Sequence, residues 1–518
     1  MKHLQTIALL AAALFFGACD DSGGASDSAG VGSPNQPTGA VGVGQGGAQD
    51  FGQFRQILEA GQIPGSSTLD PVGFFAEHKL DYPRPTCDES ICIHGLLGVA
   101  GNFITGSNCT LVQIGLNSPI DVAELERPPL DLVLAIDVSG SMRGDPIEYV
   151  RRGLSRMINA LDPADTVTIV TYSDFAQVAI EDGSLADREG LQATIDAISA
   201  QGATNIHDGL FNAFQIAEAH QAPGREARVV LLSDGVATSG IRGAARLTAM
   251  AEAYARQGIG ITTIGVGESF DVELMRAIGE VGAGNFYFLE DAAAVEEVFE
   301  EEIATFLVPI ALDVEIDVVM GAGYEVRRAY GTNGWRGGLR SGEIRLPSLF
   351  LAGRREASEP VEGGRRGGGG GILIEVMPSA ELDGIESPER VGRIMLRYTD
   401  PESGERREQR VLIDNPNLPG EIPEGGHFTD ATVEKGFVML NLLVGFQLAS
   451  GLAEDGDPSS AVGVLEALRP QVADWLLAHD NDPDIEDDLK YVDLFISNLR
   501  NSNTIVNVNR PPEPWPVD

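Results

Sequence analysis

Residues 132–142 read LVLAIDVSGSM, and this stretch constrains the fold more than any other in the chain. Leu132 to Ile136 is an unbroken apolar run. Absence of alternation is how a strand buried on both faces reads, and such strands belong to parallel sheets covered by helices. The run ends in Asp137-Val138-Ser139-Gly140-Ser141, and a helical pattern starts soon after Asp145-Pro146. A parallel strand therefore delivers a carboxylate and two hydroxyls to its C-terminal edge, where open α/β sheets bind ligands. All are hard oxygen donors, which suit Mg²⁺, Mn²⁺ or Ca²⁺ rather than zinc or copper. Further oxygens are offered by Thr204, just before a helical pattern, and by Asp234, at the end of the apolar run Leu231-Leu232.

Asp137-x-Ser139-x-Ser141 followed by Thr204 and Asp234 is similar to the metal-ion-dependent adhesion site of the von Willebrand factor type A (VWA) family. The resemblance implies that Ser139 and Ser141 hold a divalent cation directly and Thr204 directly or through water. It implies that Asp137 and Asp234 often act through water. Mg²⁺ is the expected ion, with Mn²⁺ or Ca²⁺ as alternatives. With only two carboxylates, the ion keeps residual positive charge and an open position, which an Asp or Glu of a protein partner can fill.

Residues 128–308 alternate strand and helix, the pattern of a doubly wound α/β domain. The strands expected are Asp131–Asp137, Thr166–Tyr172, Gln177–Ile180, Val229–Leu232, Ile261–Val266 and Asn285–Leu289. Gln177–Ile180 follows its predecessor too closely for a crossover, so it is expected as an antiparallel edge. The result is a mostly parallel six-stranded, Rossmann-like sheet, closed by a helix over Val295–Leu307.

The N-terminus reads as an export signal. Lys2 and His3 precede an apolar run from Ile7 to Phe16, too short to span a bilayer and right for a signal core. Phe16-Gly17-Ala18-Cys19 resembles a bacterial lipobox, which implies cleavage after residue 18 and lipidation of Cys19. Residues 19–50 are rich in Gly, Ser, Ala and Asp and read as a tether, spanning on the order of 30 Å as a flexible coil. Export to the cell envelope implies an oxidising compartment, so two of Cys87, Cys92 and Cys109 are expected to pair. Residues 51–120 read as a small module, and its run from Phe54 to Pro83 is similar to the N-terminal part of bacterial VWA lipoproteins of the YfbK type.

After residue 308 the helical period is lost. Alternation over Leu312–Val318 and Ile372–Val376, punctuated by Gly and Pro, predicts a β-sandwich-like domain over residues 309–415. Residues 425–505 read as a helical module, with Val433, Phe437, Leu440, Val444 and Leu448 on one face. Asp480-Asn481-Asp482-Pro483-Asp484 looks like a calcium loop but has Ile485 where Gly is needed and Tyr491 where Glu is needed, so a solvated turn is expected.

The net charge of −41, from 36 basic and 77 acidic residues, argues against nucleic acid, which wants a basic footprint. The glycines of residues 363–371 follow no phosphate-loop spacing, so no nucleotide site is expected. Gly-x-Ser-x-Gly and His-Glu-x-x-His are both missing, so the chain is expected not to be an enzyme. The expectation is an exported, lipid-anchored envelope protein that captures a protein partner through a divalent cation. The alternative is an assembly scaffold in which the metal only stabilises the fold.

Overall fold

The computed structural model describes residues 41–44, 51–69, 71–120, 128–234, 237–266, 271–282, 284, 286–289, 309–332, 334–352, 371–379, 387, 389–401, 403–502 and 504–507. The signal segment, Cys19, the closing helix expected over Val295–Leu307 and the glycine run up to residue 370 lie outside these residues.

The described chain opens with β1 (Val41–Gly44), α1 (Phe51–Glu59), β2 (Ile63–Pro64) and α2 (Pro71–Glu77). The hairpin β3 (Cys92–Gly101) and β4 (Asn108–Ser118) follows. Next come β5 (Leu130–Asp137), α3 (Asp145–Ala160), β6 (Thr166–Tyr172), β7 (Ala176–Ser184) and α4 (Arg188–Ala197). The α/β region continues through α5 (Ile206–His220), β8 (Glu226–Ser233), α6 (Ala244–Ala255), β9 (Gly260–Val266), α7 (Val272–Val281) and β10 (Phe286–Leu289). A second β segment holds β11 (Pro309–Met320), β12 (Tyr324–Tyr330), β13 (Arg336–Gly337), β14 (Ser341–Ala352), β15 (Ile372–Pro378), β16 (Arg390–Thr399) and β17 (Arg406–Asp414). The chain finishes with β18 (His427–Phe428), α8 (Ala431–Glu454), α9 (Pro458–Ala478), α10 (Pro483–Asn501) and β19 (Ile505–Val506).

The α/β region is a six-stranded sheet in the order β10-β9-β8-β5-β6-β7. Every pairing is parallel except β6 with β7, as the short connection required. β5 is buried along its whole length. Leu132, Leu134 and Ile136 face one helical layer with Val150 and Leu154 of α3, whereas Val133 and Ala135 face Leu210 and Phe214 of α5. This is the period of two that a strand covered on both faces demands.

The rest is interleaved rather than sequential. β12-β15-β4-β3-β18 form one run of hydrogen-bonded neighbours and β14-β11-β16-β17 another, with β13 on β14. β1 joins the two runs, pairing Gly42 with Asn117 of β4 and with Ala352 of β14. Residues 41–44, expected within the tether, are thus a sheet strand; their Gly-Val alternation is too short to register as a period. Val112 and Ile114 of β4 pack with Ile316 and Ile394 of the second run, and Leu111 and Cys109 pack with the helices. The segment expected as a small module, residues 51–120, therefore contributes strands to the sandwich-like region and helices to the C-terminal bundle. Its own apolar surface is too small to close a core.

In the bundle, Phe51 and Phe54 of α1 and Phe74 of α2 surround Phe446 of α8 with ring centroids 5.2–6.5 Å away. Phe495 of α10 completes the cluster. Each buried ring contributes about 2–3 kcal/mol. α8 is long and apolar enough to cross a membrane, but 72% of its apolar window is buried inside the protein, which makes it a core helix. It is buried nearly all round rather than on one face, and Leu448, expected on the buried face, is 45% exposed. The Asp480–Asp484 segment is not simply solvated. Lys435 of α8 pairs with Asp482 at 2.8 Å and Asp484 at 2.9 Å, and Asp484 is buried. Asp482 caps α10 by accepting from the Asp484 and Ile485 N–H groups. Cys87 and Cys92 form the disulfide, leaving Cys109 free and buried.

Candidate metal centre

Asp137 is the last residue of β5 and is fully buried. Both of its carboxylate oxygens are held. Oδ1 accepts from the Ser139 N–H at 2.8 Å, and Oδ2 accepts from the Ser233 hydroxyl at 2.6 Å. Ser233 ends the neighbouring parallel strand β8, so sheet register itself brings Asp234 beside Asp137. After Asp137 the chain turns through a short 3-10 segment, Gly140–Met142. That turn sets the Ser139 and Ser141 hydroxyls 3.0 Å apart, with Ser139 buried and Ser141 exposed.

The third loop precedes α5. Gly202 there has φ +85°, a backbone conformation that favours glycine. Its carbonyl accepts from the Gly140 N–H at 3.0 Å, and the Gln201 N–H donates to the Val138 carbonyl at 2.6 Å, fastening this loop to the first. Thr204 is buried. Its carbonyl accepts from the Thr238 and Ser239 N–H groups at 2.9 and 3.1 Å, and its N–H donates to the Thr238 hydroxyl at 2.8 Å. These bonds fasten the third loop to the one after β8. Asn205 then caps α5 by accepting from the Asp208 N–H.

The structure thus brings the Asp137, Ser139, Ser141, Thr204 and Asp234 loops to one end of the sheet. Sequence reasoning missed Ser233 and Thr238, the residues that orient them. Ser233 was readable as a hydroxyl ending a strand next to Asp234; Thr238 carries no sequence signal. His207, in the first turn of α5, stacks on Phe211 with ring centroids 6.2 Å apart.

The electrostatics fit a cation. Burial pushes the Asp137 carboxyl up to about 6, and the charge of Asp234 adds to that rise. The Ser233 and Ser139 hydrogen bonds pull the other way but do not outweigh it. No cationic side chain pairs with Asp137 among the described residues. A pocket that crowds two carboxylates and lines them with hydroxyls has the donor set of a hard divalent ion.

A family model for the von Willebrand factor type A domain matches residues 131–301. The Escherichia coli protein YfbK is 30% identical over 195 residues, which is 37% of this chain and 34% of that protein. The chain therefore matches only about a third of that relative's length. The Synechocystis protein sll0103 is 24% identical over 357 residues, 66% of this chain and 78% of that protein. Among solved structures, a von Willebrand factor type A protein from Catenulispora acidiphila aligns with a TM-score of 0.48 at 16% identity, covering 79% of this chain and 91% of that one. Domains of this family commonly hold a divalent cation at their adhesion site. Residues 131–301 of this chain are a von Willebrand factor type A domain.

Proposed function

We propose that this protein is a cell-envelope lipoprotein whose VWA domain captures a protein partner through a divalent cation. One observation carries the reading: Asp137, buried at the end of β5 and held by the Ser139 N–H and the Ser233 hydroxyl, lies beside Asp234 and the paired Ser139 and Ser141 hydroxyls, with no cationic side chain bonded to it among the described residues. Ser139, Ser141 and Thr204 supply hydroxyl oxygens to the cation, and Asp137 and Asp234 supply the negative charge around it. Mg²⁺ is the ion proposed, with Mn²⁺ and Ca²⁺ as alternatives. When bound, it offers a coordination position that an Asp or Glu of the partner completes. The chain's residues do no covalent chemistry in this reading. Lipidation at Cys19 and residence on the periplasmic or outer-membrane face rest on the sequence of residues 1–19.

A second reading has one observation in its favour. The site loops are already cross-linked by backbone hydrogen bonds, so a cation could serve only to stiffen them, and the protein would act as a scaffold. Capture of envelope proteins on the immobilised chain, in Mg²⁺, in EDTA and with Asp137→Ala, separates the two. A partner bound only with metal and intact Asp137 supports adhesion. A partner bound under all three conditions moves the function to the flanking regions. Titration with Mg²⁺, Mn²⁺, Ca²⁺ and Zn²⁺, read by thermal stability, ranks the ions.

A further inference from the structure

A cleft of about 750 Å³ opens beside the metal site, between α4 and the β6–β7 hairpin. Its volume lies in the range of working ligand pockets, about 300–1,000 Å³. One end is walled by Val138 and Gly202, which belong to the loops that carry Ser139 and Thr204. The long wall is α4, where Ala193 and Ala197 lie four residues apart on one helix face. These are small side chains, and they leave the cleft open. At its rim Phe175 is 59% exposed, an unusual position for a large aromatic ring. The one charged residue lining it is Asp174, exposed, with no ion pair among the described residues. β7 is an edge strand, paired on one side only.

We propose that this cleft seats an extended segment of the protein partner, with its acidic residue on the cation, a neighbouring Lys or Arg opposite Asp174 and an apolar side chain against Phe175. The inference rests on the adhesion reading above and adds which segment chemistry is selected. Charge decides the occupant. The cation takes a carboxylate at one end of the cleft, and Asp174 repels a second one. A segment that is acidic then basic satisfies both, and a free edge strand suits an extended backbone.

The test is selection of random peptides displayed on phage against the immobilised full chain in Mg²⁺, with binding of the selected peptides then measured against variants. Enriched peptides are expected to carry Asp or Glu together with Lys or Arg in one short segment. Ala193→Trp, which fills the cleft, is expected to weaken them at least about tenfold. Asp174→Lys is expected to weaken them similarly and to prefer peptides whose basic residue is replaced by Glu. Asp174 is exposed, so that variant remains informative if Ala193→Trp does not fold. Peptides that need Mg²⁺ and Asp137 but show no basic residue, and that bind both variants unchanged, overturn the cleft and leave the adhesion reading standing. Peptides that bind equally in EDTA and to Asp137→Ala overturn the adhesion reading and this proposal with it. Enrichment of no peptide over the bare support also overturns the proposal.

Discussion

Replacing Asp137 by Asn removes a charge that the cation-free fold keeps at an energetic cost. The Asp137 carboxyl titrates at about 6 in the fold against 3.8 for an unperturbed aspartate, through burial first and Asp234 second. A rise of roughly two pH units is about 3 kcal/mol. Between about pH 4 and 6 the folded state holds a proton that the unfolded chain has released. Stability of the cation-free protein therefore declines as pH rises through that window, and the whole penalty is in force above it. Asn can keep both hydrogen bonds: its Oδ1 accepts from the Ser139 N–H, and its Nδ2 donates to the Ser233 hydroxyl. Exchanging charge-assisted bonds for neutral ones costs about 1 kcal/mol. The net gain at about pH 8 is then about 2 kcal/mol, or roughly 4–8 °C in melting temperature for a domain of this size. At about pH 5 the gain shrinks to less than about 1 kcal/mol, because wild-type Asp137 is then largely protonated. Saturating Mg²⁺ raises the wild-type transition by mass action and leaves the variant where it was. Scanning calorimetry of both proteins in EDTA and in Mg²⁺, at both pH values, reads all of this. A variant that melts below wild type in EDTA at pH 8, or that gains as much from Mg²⁺, refutes the reasoning.

Phe446→Ala opens a cavity among the rings of Phe51, Phe54, Phe74 and Phe495. A loss of about 3–5 kcal/mol is expected, together with faster proteolysis between residues 51 and 77, which the same cluster anchors. With the Cys19 thiol blocked by its proposed lipid, thiol titration is expected to find one reactive cysteine, and only after denaturation. Cys87 and Cys92 are paired, and burial pushes the Cys109 thiol up to about 12; reactivity in the native state would contradict this. His78 of α2 meets Asp488 of α10 at 2.8 Å. Burial alone would lower His78 and Lys435 opposes its charge, but Asp488 and Asp484 outweigh both and raise it. Burial also raises Asp488, yet two carboxylates face the one ring, so the imidazolium keeps its partner. The stabilisation is present while the ring is protonated and Asp488 ionised, and it is lost on the alkaline side as pH rises through the raised folded value of His78. His78→Gln is expected to flatten that decline in denaturant titrations, and an unchanged slope would count against it.

The α/β domain was legible because its signals are local. A continuous apolar run specifies a covered parallel strand, and the site motif sits at the end of one such run. Register then places Asp234 next to Asp137 with no further information. The β-rich and helical regions were less legible because their partners are remote. Nothing within β4 says that Val112 pairs with Ile374, and a Gly-Val stretch at residues 41–44 looks like the tether around it. Asp484 reads as a turn carboxylate until Lys435, far off in sequence, is folded against it. The cysteine pairing needed geometry, since three thiols within a short segment allow any of three bonds.

The interleaving of β4 with β15 also sets an order of assembly. The whole α/β domain, β5 to β10, lies in the chain between β4 and the strands that complete its sheet. As an exported chain emerges N-terminus first, the hairpin β3–β4 appears early and has to wait, its apolar faces uncovered, until the strands after the inserted domain arrive. The inserted domain has mostly short-range βαβ crossovers and can condense on its own, which shortens the effective loop that β4 and β15 must close. An insertion that folds slowly would leave that hairpin exposed to pairing with other chains. Slower folding of the central domain is therefore expected to raise aggregation of this protein.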